Sequence, residues 1–354
     1  MLSAFFVLWS AMKIVLFLGA GFSRGFGLPV MKEFFDRTNQ STKILEIDKE
    51  LVRSLRKSAR NGASMIQGLH DNLEHVLSFA LMNPETRIND NETSSTADRL
   101  KQILRRVYSD IKYDVSNNLS TALRQLLTKE QGYNWPHQVT VVTTNYDLLA
   151  ELGFWSMDFP MRLPFEWAEN TKSTQVASLY TRDISAPLLC KVHGSLNFFE
   201  GKGDVPLIIE SGIARVNGAR EDRGDYHLPL MSVAGYENNH ELPGVPLLIP
   251  PTLYKQQAAR TFDATWDAAS AAIRKADRIT VIGYSFPPSD TYMKYFFGSA
   301  LVDNTDLGRI DIVDPNADDL VDRIKNQSDF GGHFKELLRP VQREWQTGKY
   351  QLSL

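Results

Sequence analysis

Five apolar runs of this chain end in small or polar residues of the kinds that hold and cleave a nucleotide. Ile14–Leu18 passes into Gly19, Ala20, Gly21, Phe22 and Ser23, and residues 139–144, closing on Thr144, pass into Asn145, Tyr146 and Asp147. Residues 188–192 lead to His193, Gly194 and Ser195, Arg278–Ile282 to Gly283, Tyr284 and Ser285, and residues 310–313 to Asp314, Pro315 and Asn316. Glycine lets a pyrophosphate approach the backbone and reach its N–H groups, and Ser23 adds a hydroxyl at the mouth. Asp314 is the kind of acid that accepts hydrogen bonds from ribose hydroxyls, with Asn316 in the same turn, and Gly283 and Ser285 suit a phosphate or ribose. Asn145, Asp147 and His193 would surround the other end of a dinucleotide. The first turn departs from the G-x-G-x-x-G spacing, so its meaning depends on the other four ends.

The elements that must position these groups follow from the hydrophobic pattern. The β-branched and aliphatic runs read as buried parallel strands. In the last third they alternate with helices over 262–275, 290–301 and 317–325, which predicts a doubly wound (Rossmann-like) parallel sheet with its ligand at the carboxyl ends of the strands. A short helix over 31–37 would set its positive end near the glycine turn. Between about 44 and 130 the pattern changes to helical spacing: Ile44, Ile47, Leu51 and Leu55, then Leu73, Val76, Leu77, Ala80 and Leu81. Leu100, Ile103, Leu104, Val107 and Ile111 continue it, and Leu119, Leu123, Leu126 and Leu127 close a helical insert of about four helices. Residues 83–98 are polar and read as a loop within it. Residues 199–245 form an irregular insert, after which prolines 250 and 251 mark a strand that ends rather than a central one. The expected organisation is an extension over 1–12, one domain over 13–330, and a helical tail over 331–354 that Pro340 kinks.

Composition narrows the function. The 354 residues are 43% hydrophobic and 23% charged with a net charge of −3, a balance that gives no overall electrostatic footprint for nucleic acid and leaves only a local basic patch open. The one cysteine, Cys190, excludes an internal disulfide and a four-cysteine zinc site, which points to a cytoplasmic protein. Residues 1–9 are apolar, but Lys13 interrupts the run well short of the roughly 20 residues of a membrane span, and no basic segment precedes it as in a signal peptide. Residues 1–11 read as an appendage, either a tail or a start set too early. His70 and His75 stand five apart, and no metal-ligand spacing appears anywhere.

Gly19-Ala20-Gly21-Phe22-Ser23 followed by Gly27-Leu28-Pro29, then Thr144-Asn145-Tyr146-Asp147, His193-Gly194, Gly283-Tyr284-Ser285 and Asp314, occur in an order that resembles the sirtuin (silent information regulator) NAD-binding core. Two departures matter. Sirtuin deacylases carry a zinc ribbon of four cysteines, and here one cysteine exists; the Asp-Phe-Arg that often follows the first motif is replaced by Val30-Met31-Lys32. What remains is similar to the zinc-free, sirtuin-like NAD hydrolases of bacterial antiphage defence, including their Leu-Ile-Pro-Pro segment at 248–251. The resemblance implies NAD+ as substrate, no metal, a homo-oligomer, a partner such as an ATPase, helicase or other sensor, and NAD+ depletion once triggered. Its rivals are an NAD-dependent deacylase or ADP-ribosyl transferase, and a subunit that binds NAD+ or ADP-ribose without turning it over.

Nicotinamide is a cationic leaving group on an anomeric carbon, so the bond breaks through an oxocarbenium-like state that needs positioning more than a strong nucleophile. Asp147 suits the carboxamide, Asn145 the ribose or the attacking water, and His193 the proton. Ordinary roles stand beside these. Asn145 and Asp147 are favoured helix caps, as is Asp314 before Pro315, and His193 alone would pass for a strand-end histidine. Cys190 lies three residues before His193, on the opposite face of a strand, so the two form no nucleophile pair. The leucine stripes of the insert are core packing or an oligomer interface.

Overall fold

Buried apolar runs must find backbone partners in one another, and here they do so in parallel. The computed structural model describes residues 12–30, 33–41, 44–62, 73–82, 95–109, 112–113, 123, 139–157, 159–169, 179–201, 205–208, 231–232, 244–249, 259–287, 290–326 and 332–342. Its strands, in chain order, are β1 Ile14–Leu18, β2 Lys112–Tyr113, β3 Val139–Thr143, β4 Met161–Arg162, β5 Ala168–Glu169, β6 Tyr180–Thr181 and β7 Leu188–Lys191. They continue with β8 Gly194–Phe199, β9 Leu207–Ile208, β10 Met231–Ser232, β11 Pro246–Leu248, β12 Arg278–Ile282, β13 Arg309–Asp314 and β14 Leu338–Gln342. Eight of them form one sheet in the order β14-β13-β12-β1-β3-β7-β4-β6, with every pairing parallel. The expected doubly wound α/β sheet is therefore present.

From β1 the chain builds outward on one side through β3 and β7, then returns to build β12, β13 and β14 on the other. That reversal beside β1 is the switch point at which open α/β sheets open a ligand crevice. Register brings the strand ends level. Leu18 lies opposite both Thr143 and Ile282, Thr143 opposite Lys191, and Ile282 opposite Val313. Gly19, Thr144, Val192, Gly283 and Asp314 consequently stand along one edge.

β1 and β12 are buried throughout, and their alternate residues serve two cores. Ile14, Leu16 and Leu18 join a cluster with Leu55, Leu77, Leu100 and Ile103 of the inserted helices Glu46–Gly62, Leu73–Met82 and Thr96–Ser109. Val15 and Phe17 face the other cluster, with Ile273, Phe297 and Val321 of helices Ala259–Arg274, Thr291–Val302 and Ala317–Asn326. Asp48 anchors the insert internally by accepting from Arg99 at 2.8 Å and Arg106 at 2.9 Å. The helix Thr96–Ser109 also reaches the sheet: Arg105 Nε donates to the Leu196 carbonyl (2.9 Å) and the Tyr108 hydroxyl to the Pro29 carbonyl (2.9 Å).

Several boundaries differ from the sequence expectation. Over the described residues 332–342 the tail is a short helix, Gly332–Leu337, followed by β14, with Pro340 opposite Ile312, and 343–354 lie outside the described residues. β14 is an edge strand, so proline's missing N–H can fall on the side with no ladder to break. β8 leaves the main sheet and pairs antiparallel with β11 and β9, while β5 extends this second, four-stranded sheet. The return over 246–248 thus belongs to that sheet, and within the expected irregular insert β9 takes up the short apolar run at 207–208. The loop expected to run to 98 gives way to helix at Thr96, where Ser95 Oγ accepts from the Asp98 N–H (3.1 Å) as an N-cap. The short helix spans Phe34–Gln40 rather than 31–37. The extension over 1–11, the loop over 83–94, His70, Pro250 and, apart from Leu123, the expected fourth inserted helix lie outside the described residues.

Candidate active site at the carboxyl edge of the sheet

Two backbones meet at the centre of the crevice. The Gly19 N–H donates to the Ile282 carbonyl (2.9 Å) and the Gly21 N–H to the Gly283 carbonyl (2.8 Å). A Cβ on Gly19 would lie 2.6 Å from the Gly283 carbonyl oxygen, and one on Gly283, whose φ is +64°, would lie 2.1 Å from the Phe22 nitrogen. These glycines are thus required by the contact between two strand ends. This revises the phosphate cradle: the amides of Gly19, Gly21 and Phe22 are all engaged within the chain, the last by the Gly19 carbonyl at 3.0 Å. Ala20 opens the short helix Ala20–Arg24, in which Phe22 and Ser23 are buried.

Ser23 is the hub of the polar cluster. Its hydroxyl donates to Asp147 Oδ2 (2.7 Å) and accepts from Asn145 Nδ2 (2.9 Å), which also donates to the Gly19 carbonyl (2.9 Å). Both strand ends are tied further, because Thr143 Oγ1 donates to the Leu18 carbonyl (3.0 Å) and accepts from the Asn145 N–H (3.0 Å). With its amide hydrogens committed, Asn145 has Oδ1 to offer a ligand. Asp147 is more occupied: Oδ1 accepts from the Leu149 N–H at 2.9 Å, an Asx-type turn just before helix Leu149–Trp155, whose N-cap position is Leu148. Thr144 is half-buried beside them, its N–H on the Leu18 carbonyl (3.3 Å).

His193 lies in the turn between β7 and β8, where its carbonyl accepts from the Ile249 N–H (2.8 Å). The imidazole is 1% exposed, with ring centroids of Tyr146 and Trp266 at 6.4 and 6.3 Å. Gly194 makes this turn with φ +83°, and a Cβ there would sit 2.0 Å from the Leu247 carbonyl oxygen. On the far side of β1, Asp314 is half-buried and Oδ1 accepts from the Asn316 N–H (2.9 Å), a turn that leaves Oδ2 for a hydroxyl. Ser285 and Asn316 are exposed, and the Ser285 carbonyl accepts from Arg323. The structure thus brings Ser23, Asn145 and Asp147 into direct contact and ranges His193 and Asp314 along the same edge.

Sequence reasoning missed what lies beneath. Lys191, the last residue of β7, is 1% exposed; its Nζ donates to the Asp147 backbone carbonyl and to Glu151 Oε1 (2.9 Å), and Glu151 is fully buried. The Tyr180 hydroxyl also donates to Glu151 Oε1 (3.1 Å) and accepts from Asn197 Nδ2 (3.1 Å). Asn197 Oδ1 accepts from Ser195 (2.7 Å), whose oxygen lies 3.3 Å from the Tyr146 carbonyl. The chain of bonds therefore starts and ends on the turn 145–147. A signal existed: a lysine inside an apolar strand run must be paired, and Glu151 follows Asp147 by one helical turn. Cys190, one residue earlier, is no nucleophile, since burial pushes its thiol up to about 12 against a smaller opposing pull from Arg162.

Among the described residues no group of three or more His, Cys, Asp or Glu is arranged to hold a metal, and no helix is long and apolar enough to cross a membrane. No family model and no curated protein matches the chain. One solved structure, described as "Structural Basis for the Mechanism and Regulation of Sir2 Enzymes", shares 13% identity over 94% of this chain and 88% of its own, with a TM-score of 0.30. So loose a superposition adds nothing to the strand order and register, on which the fold assignment stands.

Proposed function

We propose that this chain is an NAD+ hydrolase that cleaves the nicotinamide–ribose bond and releases nicotinamide and ADP-ribose. The sequence motifs suggest the substrate. The observation that carries the reading is the contact of Ser23, Asn145 and Asp147, which come from two strand ends and close over the switch point of the sheet.

In this reading Asn145 Oδ1 orients the ribose or the attacking water, the Asp147 segment faces the carboxamide, and Asp314 takes the adenosine ribose. The water oxygen bonds to the anomeric carbon as the carbon–nitrogen bond breaks, nicotinamide leaves neutral with the electron pair, and the water's proton passes to His193. The preorganised turn fits a reaction that needs placement more than nucleophilic strength. As a sirtuin-like hydrolase the protein would act in the cytoplasm as a homo-oligomer. A sensor, ATPase or helicase partner would trigger NAD+ depletion during phage infection.

Incubating purified protein with NAD+ and separating the products tests this. Free nicotinamide with stoichiometric ADP-ribose is expected, and Asn145→Ala and His193→Ala should each lose about 10²- to 10⁴-fold in kcat while keeping their fold. Turnover that requires an acyl-lysine peptide would make the protein a deacylase. NAD+ binding without turnover, alone or in phage-infected cells expressing the chain, would make it a binding subunit.

A further inference from the structure

The opposite edge of the same sheet carries a feature that the crevice does not share. A cavity of about 420 Å³ opens where β1, β3 and β7 begin, floored by Ile14, Val139 and Leu188 and walled by Ala268 and Ala272 of helix Ala259–Arg274. That volume lies in the range of small-molecule sites. One strand length, about 15 Å, separates it from the crevice.

Three cations line the cavity, Lys13, Arg162 and Lys275, and no carboxylate does. Among the described residues none of the three side chains makes an ion pair. Lys13 and Lys275 are exposed and Arg162 is half-buried, whereas the buried Lys191 and Arg278 are paired, with Glu151 and with Asp311 at 2.6 Å. The carboxylate nearest in sequence to Lys275, Asp277, accepts instead from the backbone N–H of Lys13 (2.6 Å). Arg162 adds a stronger sign, because its Nε is buried with no hydrogen-bond partner. A charged donor taken from water and left unsatisfied costs stability, and chains keep such groups where something else completes them.

The chemistry of that complement can be read from the walls. A guanidinium presents a planar fork that matches the oxygens of a phosphate, and two ammonium groups on flexible stems can close on its remaining charge. The floor is branched aliphatic and the wall alanine, with no aromatic face on which a base would stack. We propose that this cavity binds a small organic phosphate, its dianionic head held by Arg162, Lys13 and Lys275 and its aliphatic body seated on the first residues of the strands. The site is independent of what the crevice does to NAD+.

Isothermal titration of the full chain at low salt, with n-butyl phosphate and with inorganic phosphate, tests both halves. Saturable binding is expected for each, about threefold or more tighter for the butyl ester because its chain buries apolar surface. Arg162→Gln should weaken binding about tenfold and Lys275→Gln, an exposed substitution that leaves the fold alone, about threefold. Asn145→Ala, at the other edge, should bind n-butyl phosphate like the parent. Absence of saturable binding, or both cation variants binding like the parent, overturns the site. Loss of binding in Asn145→Ala places the ligand in the crevice instead and also overturns it, and equal affinity for the two probes overturns the seated body.

Discussion

The two edges of the parallel sheet handle polar groups in opposite ways. At the carboxyl edge Ser23, Asn145, Asp147, Lys191, Glu151, Tyr180 and Asn197 bond to one another. At the amino edge Lys13, Arg162 and Lys275 face a cavity with no carboxylate in it. Both arrangements hold charge at the ends of the same strands. A cluster bonded mainly to itself, with Glu151 Oε2 buried and lacking a partner, has its geometry largely fixed before any ligand arrives, which suits a reaction that depends on placement. A set of like charges facing space has a geometry that its ligand completes.

Breaking the carboxyl network should have the largest effect. Lys191→Met strands Glu151 in the core and is expected to cost about 3–5 kcal/mol in urea unfolding. Adding Glu151→Gln should return much of that, since both charges are then gone. A loss below about 1 kcal/mol would erase the distinction between the edges.

Next comes the backbone contact beneath the network. Gly283→Ala is expected to destabilise by about 1–3 kcal/mol from its positive φ, with a further loss from the 2.1 Å approach to the Phe22 nitrogen. Gly27, with φ +87° and nothing within 4 Å of where a Cβ would stand, isolates the first contribution, so Gly27→Ala should cost clearly less. Equal costs in thermal melts would show that the strand-end contact contributes nothing.

The last effect, absent at neutral pH, is a pH dependence carried by β7, which joins the two edges. Burial raises the Cys190 thiol from 9.0 to about 12, so between these values the unfolded chain has released a proton that the folded chain still holds. Folding stability is therefore fully present below about pH 9 and falls as pH rises toward 12. Cys190→Ala should flatten that fall relative to the parent in urea titrations, and an unchanged slope would contradict the burial. Arg162→Gln removes the opposing pull and should leave the thiol still less acidic.

The fold was readable because its central strands are long enough to show pattern. Ile14–Leu18, Val139–Thr143, Arg278–Ile282 and the run ending at Asp314 are each apolar and end in polar residues, so their common edge followed from sequence. β4 and β6 have two residues each, too few for any period, and β14 was hidden by Pro340, a residue that only an edge strand tolerates. In the site, Asn145 and Asp147 could be named from residue type, but their contact with Ser23 depends on the register of β1 against β3. The glycines were found for a different reason from the one they serve, because sequence cannot distinguish a backbone that approaches a phosphate from one that approaches another strand. Lys191 and Glu151 lie forty residues apart and meet only after β7 has paired with β3.

The bonds from Arg105 to Leu196 and from Tyr108 to Pro29 have a consequence for how this architecture can be rebuilt. An insertion that touched only its own neighbours could be exchanged or excised like a surface loop. Here one inserted helix clasps the chain just after the glycine turn and again just after His193, so the insert works as a splint across two segments that flank the crevice. Shortening it would leave two carbonyls without donors and two active-site segments without a common brace. Evolution or design can therefore vary the outer face of those helices freely, but the helix Thr96–Ser109 is inherited with the site.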